Sequence, residues 1–266
     1  MSHGSHIRSD ICWSDETSVT VLGQDLCRDL IGTVDFAEFA FLLMTRRQPT
    51  AQEGRLFNAA LVSLVEHGIT PNVIATRSTY FGAPESLQGA IAAGLLGLGS
   101  RFVGTIEGSA RLISEMSAGL GEDPSPEEIR DRAEAAVSGF LAAGRTVPGI
   151  GHPIHKPVDP RAERLFELIG ECGFPTVQVD MMRAVSAAAS DATNRSLPVN
   201  VTGAIGVCVN VLGIDWRISR GVGILARTAG LIGHVLEEVL APMAPELWHS
   251  TDEAATAHLR IGTEHG

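Results

Sequence analysis

Large aromatic side chains are scarce in this 266-residue chain: Phe, Trp and Tyr make up only 5% of it, with a single tyrosine. A core with so few rings has to be closed by short side chains and close helix–helix approach. Positive charge is also short, with 20 Lys and Arg against 31 Asp and Glu and a formal net charge of -11. Phosphate-backbone binding needs a basic face, so nucleic acid is excluded as a general partner; an anionic ligand would need a local basic pocket. The four cysteines, Cys12, Cys27, Cys172 and Cys208, show no CxxC spacing and no nearby histidine partner. That argues against a zinc site or a disulfide framework and makes a reducing cytoplasm the simplest setting. The longest apolar runs, such as "GAIAAGLLGLG", are too short for a membrane span and are broken by glycine. The opening "MSHGSHIRSD" has no apolar segment of the signal-peptide kind.

What is present is helical periodicity, repeated along a chain that is 44% hydrophobic, enough for one large core or a core with a smaller lobe. "VDFAEFAFLLMTRR" places Phe36, Phe39, Ala40 and Leu43 on one face. "TAQEGRLFNAALVSLVEHG" places Leu56, Ala60, Leu64 and Val65 on one stripe and stops at Gly68, with His67 in its last turn. Thr70 and Pro71 predict a cap and first helical position, Ser125 and Glu128 a capping box, and Asp159-Pro160 a further helix start. "SVTVLG" is the one short strand signal, and the tail from Ala241 is polar. The fold class expected is all-α, a single domain over 1–266, with its soft boundary at the glycine-rich approach to His152.

"RTVPGIGHPIHKPVDPRAE", residues 145–163, crowds prolines, glycines and histidines into the approach to a charged helix start. Val147, Pro148, Gly149, Ile150 and Gly151 let backbone come close to a ligand and present N–H groups to it. His152 follows, then Lys156, and Arg161 in a first helical turn, where the macrodipole disfavours a cation. The set offers a proton donor and two cations to an anion; a Gly/Pro connector with solvated charges is the plain alternative. His67 has the alternative of capping a helix C-terminus, and His234, in "LIGHVLEE", that of a satisfied core histidine. Arg227 stands in the apolar, glycine-rich "GILARTAGLIG" and calls for an anion from elsewhere, a protein carboxylate or a ligand. Arg77 and Arg101 read as surface or ion-pair residues. The small-residue run Gly94–Gly104 lacks the Lys-Ser/Thr of a phosphate loop.

Taken in order, "VEHG" (65–68), "GLLGLGSRFVGTIEGSA" (94–110), "VPGIGHPIHKPVDPRAE" (147–163), "VNVTGAIG" (199–206) and "ARTAGLIGHVLEE" (226–238) resemble the citrate synthase superfamily. They are most similar to its citryl-CoA lyase branch, which also forms the C-terminal part of ATP-citrate lyase. The resemblance implies an all-α homodimer with a large helical domain and a small helical lobe. It also implies a CoA thioester and a hydroxy or keto acid as ligands, and no metal. By position it implies that His67 and His152 contact the acid and that Arg161 and Arg227 clamp its carboxylates. The backbone of Val147–Gly151 would cradle the CoA adenine, with Lys156 near the phosphates.

Three positions depart from the family pattern. Thr202 in "NVTG" stands where the family has its catalytic aspartate, and a hydroxyl is far too weak a base to take a proton from a thioester's α-carbon. Phe102 stands where citrate synthases proper carry a histidine, as in the lyase branch. The family's C-terminal arginine has no counterpart; Leu247 and Trp248 lie near its place. The expected chemistry is formation or cleavage of a C–C bond beside a CoA thioester, on a substrate that can differ from citryl-CoA. The alternatives are thioester hydrolysis and a catalytically inactive relative that binds CoA esters. Arg161 and Arg227, both retained, favour the enzyme.

Overall fold

The computed structural model describes residues 7–121, 123–152 and 154–260. It is built of α-helices with one small antiparallel sheet, as expected from the periodicity: β1 (Cys12–Ser14), β2 (Val19–Val21) and β3 (Gln24–Asp25), paired in that order with Trp13 opposite Thr20 and Val21 opposite Gln24. The chain forms two compact units, one from residues up to Ala60 with Ile106–Ser219, the other from Leu61–Thr105 with Arg220 onward. The divisions therefore do not fall at the approach to His152: the hydrogen bonds of that loop, described below, tie it into the body of its own unit.

The larger unit contains α1 (Phe36–Thr45), most of α2 (Ala51–Val65) and α5 (Gly104–Ser117), α6 (Pro126–Ala142), α7 (Pro160–Glu171), α8 (Val177–Thr193) and α9 (Val201–Val211). α9 is buried at Val201 and at every residue from Gly203 to Val209, and α7 and α8 pack against it. The shortage of rings is met here as the composition requires. A Cβ at Gly206 would stand 2.5 Å from Ser109 Cβ and 2.7 Å from Ala110 N, so α5 and α9 touch nearly backbone to backbone. Gly206→Ala should therefore cost about 1–3 kcal/mol through overpacking, despite alanine's better helix propensity. Urea unfolding of the variant checks this, and a gain in stability would show that the two helices can part cheaply.

Ser125 and Glu128 do form the expected capping box of α6, and Asp159 caps α7 with Pro160 in its first turn. The face expected for α1 is wrong. Ala37, Phe41 and Leu42 are buried, whereas Phe36 is 71% and Leu43 41% exposed. "FAEFAFLLMT" is apolar in nearly every direction, so its periodicity does not select a side. Tertiary partners decide instead: Phe57 meets Phe41 edge-on at 5.5 Å between ring centroids, and Leu42 joins Val21 and Leu30.

The second unit holds α3 (Pro71–Gly82), α4 (Leu87–Leu96), α10 (Arg220–Leu240) and α11 (Ala244–Arg260). α10 packs on α3 and α4 around Val73, Ala90, Ile91, Leu231 and Val235, and α11 packs on α3. Thr70 occupies the N-cap position of α3, but its hydroxyl turns to Asn72 Oδ1 rather than to a helix N–H. The polar tail from Ala241 is largely the helix α11. Its start is held by Glu238, whose carboxylate accepts N–H bonds from Met243 (3.1 Å) and Ala244 (2.9 Å). Among the described residues no helix is long and apolar enough to cross a membrane, and the four cysteines are free thiols.

Candidate active site

The 147–151 loop is laced to the start of α9. Gly151 N donates to Pro198 O (2.7 Å), Asn200 N to Gly149 O (2.9 Å), and Asn200 Nδ2 to Gly151 O (2.8 Å). Ile150 and Val199 form an isolated antiparallel bridge. Gly149 and Gly151 have φ of +77° and +85°, where a side chain is strained, and a Cβ on Gly149 would strike Ser109 and Gly203. Glycine is thus needed here both for the turn and for the close seat on α5 and α9. Val147 and Gly149 are buried, and Pro148, Ile150 and Gly151 are half-buried.

This scaffold sets the next residues. His152 Nδ1 accepts the N–H groups of Ile154 (3.1 Å) and His155 (3.0 Å), so a neutral ring carries its proton on Nε2. Arg161 Nη2 lies 3.4 Å from that nitrogen, and the His155 ring stacks on His152 at 4.4 Å between centroids. Arg161 is not an unengaged cation. Its Nε and Nη2 grip Asp159 at 3.0 and 2.9 Å, in the two-pronged geometry that fixes a guanidinium plane. Asp159, fully buried, also accepts Val201 N at 3.0 Å and so joins the starts of α7 and α9. Burial works to raise the Asp159 pKa, but the Arg161 bonds and charge, with the backbone N–H bonds, outweigh it and hold the carboxyl below its ordinary range.

Thr202 sits in the first turn of α9 beside the loop. Asn200, the N-cap, accepts Thr202 N (3.0 Å), Gly203 N (3.2 Å) and the Thr202 hydroxyl (2.6 Å) on one amide oxygen. His152, Arg161, Thr202 and the 147–151 backbone are thus gathered within one unit; Lys156 is exposed on the same segment.

The second unit carries His67, Phe102 and Arg227. α2 ends at Val65, so His67 lies beyond the helix rather than in its last turn. Glu66 folds back to accept the N–H groups of His67 (2.8 Å) and Gly68 (2.6 Å), and Gly68 turns with φ +74°. The helix therefore ends with the last residue of its apolar stripe, short of the stop expected at Gly68. Arg227 is half-buried on α10, and Phe102 stands partly exposed in the turn before α5. Arg77 is an ion-pair residue, as one reading of the sequence had it, but a buried one: its Nε lies 2.7 Å from Glu238 and its Nη1 2.9 Å from Glu237.

Asp159 and Asn200 escaped the sequence as site-building groups. Asp159 and Asn200 stand at positions that look like ordinary helix caps, and nothing local distinguishes a cap that also ties two segments together. The available signal was the cation at Arg161, which a first helical turn disfavours and which therefore needed a nearby anion.

Residues 24–244 match the family model for the citrate synthase C-terminal domain. Among curated relatives, the probable ATP-citrate synthase subunit 1 of Schizosaccharomyces pombe is 30% identical over 229 residues, covering 78% of this chain and 35% of that protein. The chain spans about a third of the length of the curated relatives of this kind. Among solved structures, citryl-CoA lyase from Hydrogenobacter thermophilus superposes with a TM-score of 0.78 at 31% identity, covering 89% of this chain and 88% of that one. The ATP citrate lyase of Methanothrix soehngenii, solved with citrate and coenzyme A, superposes with a TM-score of 0.72 at 22% identity, covering 92% of this chain and 41% of that one.

Proposed function

The chain belongs to the citrate synthase family, and from that premise we propose that it makes or breaks a C–C bond beside a CoA thioester, with a hydroxy or keto acid as the other component. The carrying observation is the glycine loop laced to α9, which sets His152, Arg161 and Thr202 around one backbone feature. In this reading the Val147–Gly151 backbone receives the adenine and Lys156 the CoA phosphates. His152, whose neutral ring carries its proton on Nε2 because Nδ1 accepts two backbone N–H groups, donates to the oxygen on the carbon being attacked or released, which is electrostatic stabilisation of developing charge. Arg161 offers a carboxylate the Nη1 that Asp159 does not occupy. Arg227 and His67 bind the acid as well, and Phe102 lines its pocket.

Thr202 separates this chain from the family's standard reaction. Its hydroxyl is spent as a donor to Asn200, and no hydroxyl there takes a proton from carbon. In this proposal the substrate is other than citryl-CoA, and the proton that C–C bond formation takes from the thioester's α-carbon, or that cleavage returns to it, passes through a group other than Thr202; the same observation favours, as second reading, a relative that binds CoA esters without enolate chemistry. A panel of CoA thioesters, incubated with and without keto acids and followed by mass spectrometry of every CoA species, separates them: conversion of any one supports the enzyme, and binding without conversion supports the second.

CoA or an acyl-CoA at a hundredfold over its dissociation constant should stabilise the fold by about 2.7 kcal/mol. A thermal-shift series reads this directly, and no shift with any CoA species would remove the nucleotide site. We also propose a cytoplasmic homodimer. α10 leaves Ile232, Leu236, Val239 and Leu240 exposed along one helix, an apolar stripe that a second copy would cover. Light scattering should give twice the chain mass at micromolar concentration; a monomer would refute it.

A further inference from the structure

We infer that Glu66 and His234 are positioning residues that hold the His67 turn against α10, an assignment that rests on the acid-binding reading of His67 and Arg227. A carboxylate just past a helix C-terminus opposes the macrodipole, so Glu66 needs a local reason to be there. Its two oxygens face different neighbours. Oε1 accepts the N–H groups of His67 and Gly68, at 2.8 and 2.6 Å, and Oε2 lies 3.0 Å from His234 Nε2. Burial opposes the charge on Glu66, but the neighbouring His234 imidazole and the two backbone N–H bonds prevail, and its pKa falls below the usual range. The carboxylate stays ionised and fixes the backbone from which the His67 side chain departs.

His234 is buried on α10, and α10 comes unusually close. A Cβ at Gly230 would overlap Val65 O and stand 3.2 Å from Glu66 Oε2. Arg227, Gly230 and His234 follow one another at three- and four-residue steps, hence on one helix face. The carboxylate clamp and the support of the His67 turn are therefore referred to the same rigid element. The brace does not end there: Glu237 Oε2 lies 3.5 Å from His234 Nδ1 and 2.9 Å from Arg77 Nη1, which ties the turn to the buried ion pair of this unit.

The test compares Glu66→Ala, Glu66→Gln, His234→Gln and His67→Ala, with citrate, oxaloacetate and CoA as titrants in calorimetry and with amide hydrogen exchange. Glu66→Ala should weaken the acid by at least about tenfold and leave CoA within about twofold, as loss of bonds to a charged group on the acid side alone would do. Exchange at the His67 and Gly68 amides should rise by a similar factor. Glu66→Gln keeps an oxygen acceptor and should recover much of both, a rescue that a merely volume-filling role would not single out. If Glu66→Ala does not fold, Glu66→Gln and His234→Gln decide, through intermediate losses of acid affinity and amide protection. Wild-type acid affinity in the folded Glu66 and His234 variants, with His67→Ala impaired, overturns the positioning role and leaves the functional reading standing. If the wild-type protein binds no member of a hydroxy- and keto-acid panel that includes citrate and oxaloacetate, or if His67→Ala binds as well as wild type, the functional reading fails and the positioning role fails with it.

Discussion

Arg77→Met should destabilise the unit of α3, α4, α10 and α11 by about 3–5 kcal/mol, the usual cost of stripping one partner from a buried ion pair. The side chains of Arg77 and Glu238 are 4% and 3% exposed and meet at 2.7 Å, so removing the guanidinium strands a carboxylate where water cannot reach it. Glu238 also holds the start of α11 through Met243 and Ala244, so the loss reaches a second element. Burial works to raise the Glu238 pKa, but the backbone N–H bonds and Arg77 prevail and keep it below the ordinary carboxylate range. A depressed folded pKa contributes stability that is complete above the unfolded value, about 4.3, and is lost as pH falls through the folded value. Wild-type protein should accordingly lose stability in that acid window, and Arg77→Met should lose less there because its Glu238 is already poorly held. Urea unfolding at neutral and acid pH reads both effects. A loss below about 1 kcal/mol at neutral pH would place the pair among the weak ones.

Much of this fold is written locally. Ser125 with Glu128, and Asp159 with Pro160, mark helix starts through bonds spanning three residues or fewer, and the structure has both. The glycines of the 147–151 loop are likewise legible, because positive φ and close backbone approach are demands one residue type answers. What was not legible depends on distance along the chain. The buried face of α1 is chosen by Phe57 and by the small-sheet cluster, not by its own evenly apolar pattern. α11 starts where it does because a carboxylate on α10 takes its first N–H groups, so a polar tail gave no hint of order. The site shows the same division. Residue types around "VPGIGH" announce an anion site, yet Asp159's double service to Arg161 and Val201 appears only when α7 and α9 are brought together.

Thr202→Asp should speed exchange of the acetyl-CoA methyl protons with deuterated water by about 10²–10⁴-fold over a wild-type protein that exchanges them slowly or not at all. The proposed function places residue 202 toward the thioester's α-carbon. The wild-type hydroxyl there is a weak base and is already donating to Asn200 Oδ1 at 2.6 Å. An aspartate supplies the missing base, and its position in the first turn of α9 suits it, since a carboxylate near a helix N-terminus gains about 0.3–1 kcal/mol. One contact works against it. The Asn200 oxygen is fixed as an acceptor by Thr202 N and Gly203 N, so a carboxylate must rotate away from it, and any desolvated charge adds a cost in stability. The rotation turns the new group off the cap and is compatible with its role as a base. Mass spectrometry of acetyl-CoA after timed incubation, beside a thermal melt and a CoA titration of the variant, measures all three quantities. Fast exchange by the wild type would mean that another base acts, with Glu66 the first residue to mutate. A folded, CoA-binding Thr202→Asp protein that gains nothing would show that the pocket has moved away from proton abstraction in more than one residue.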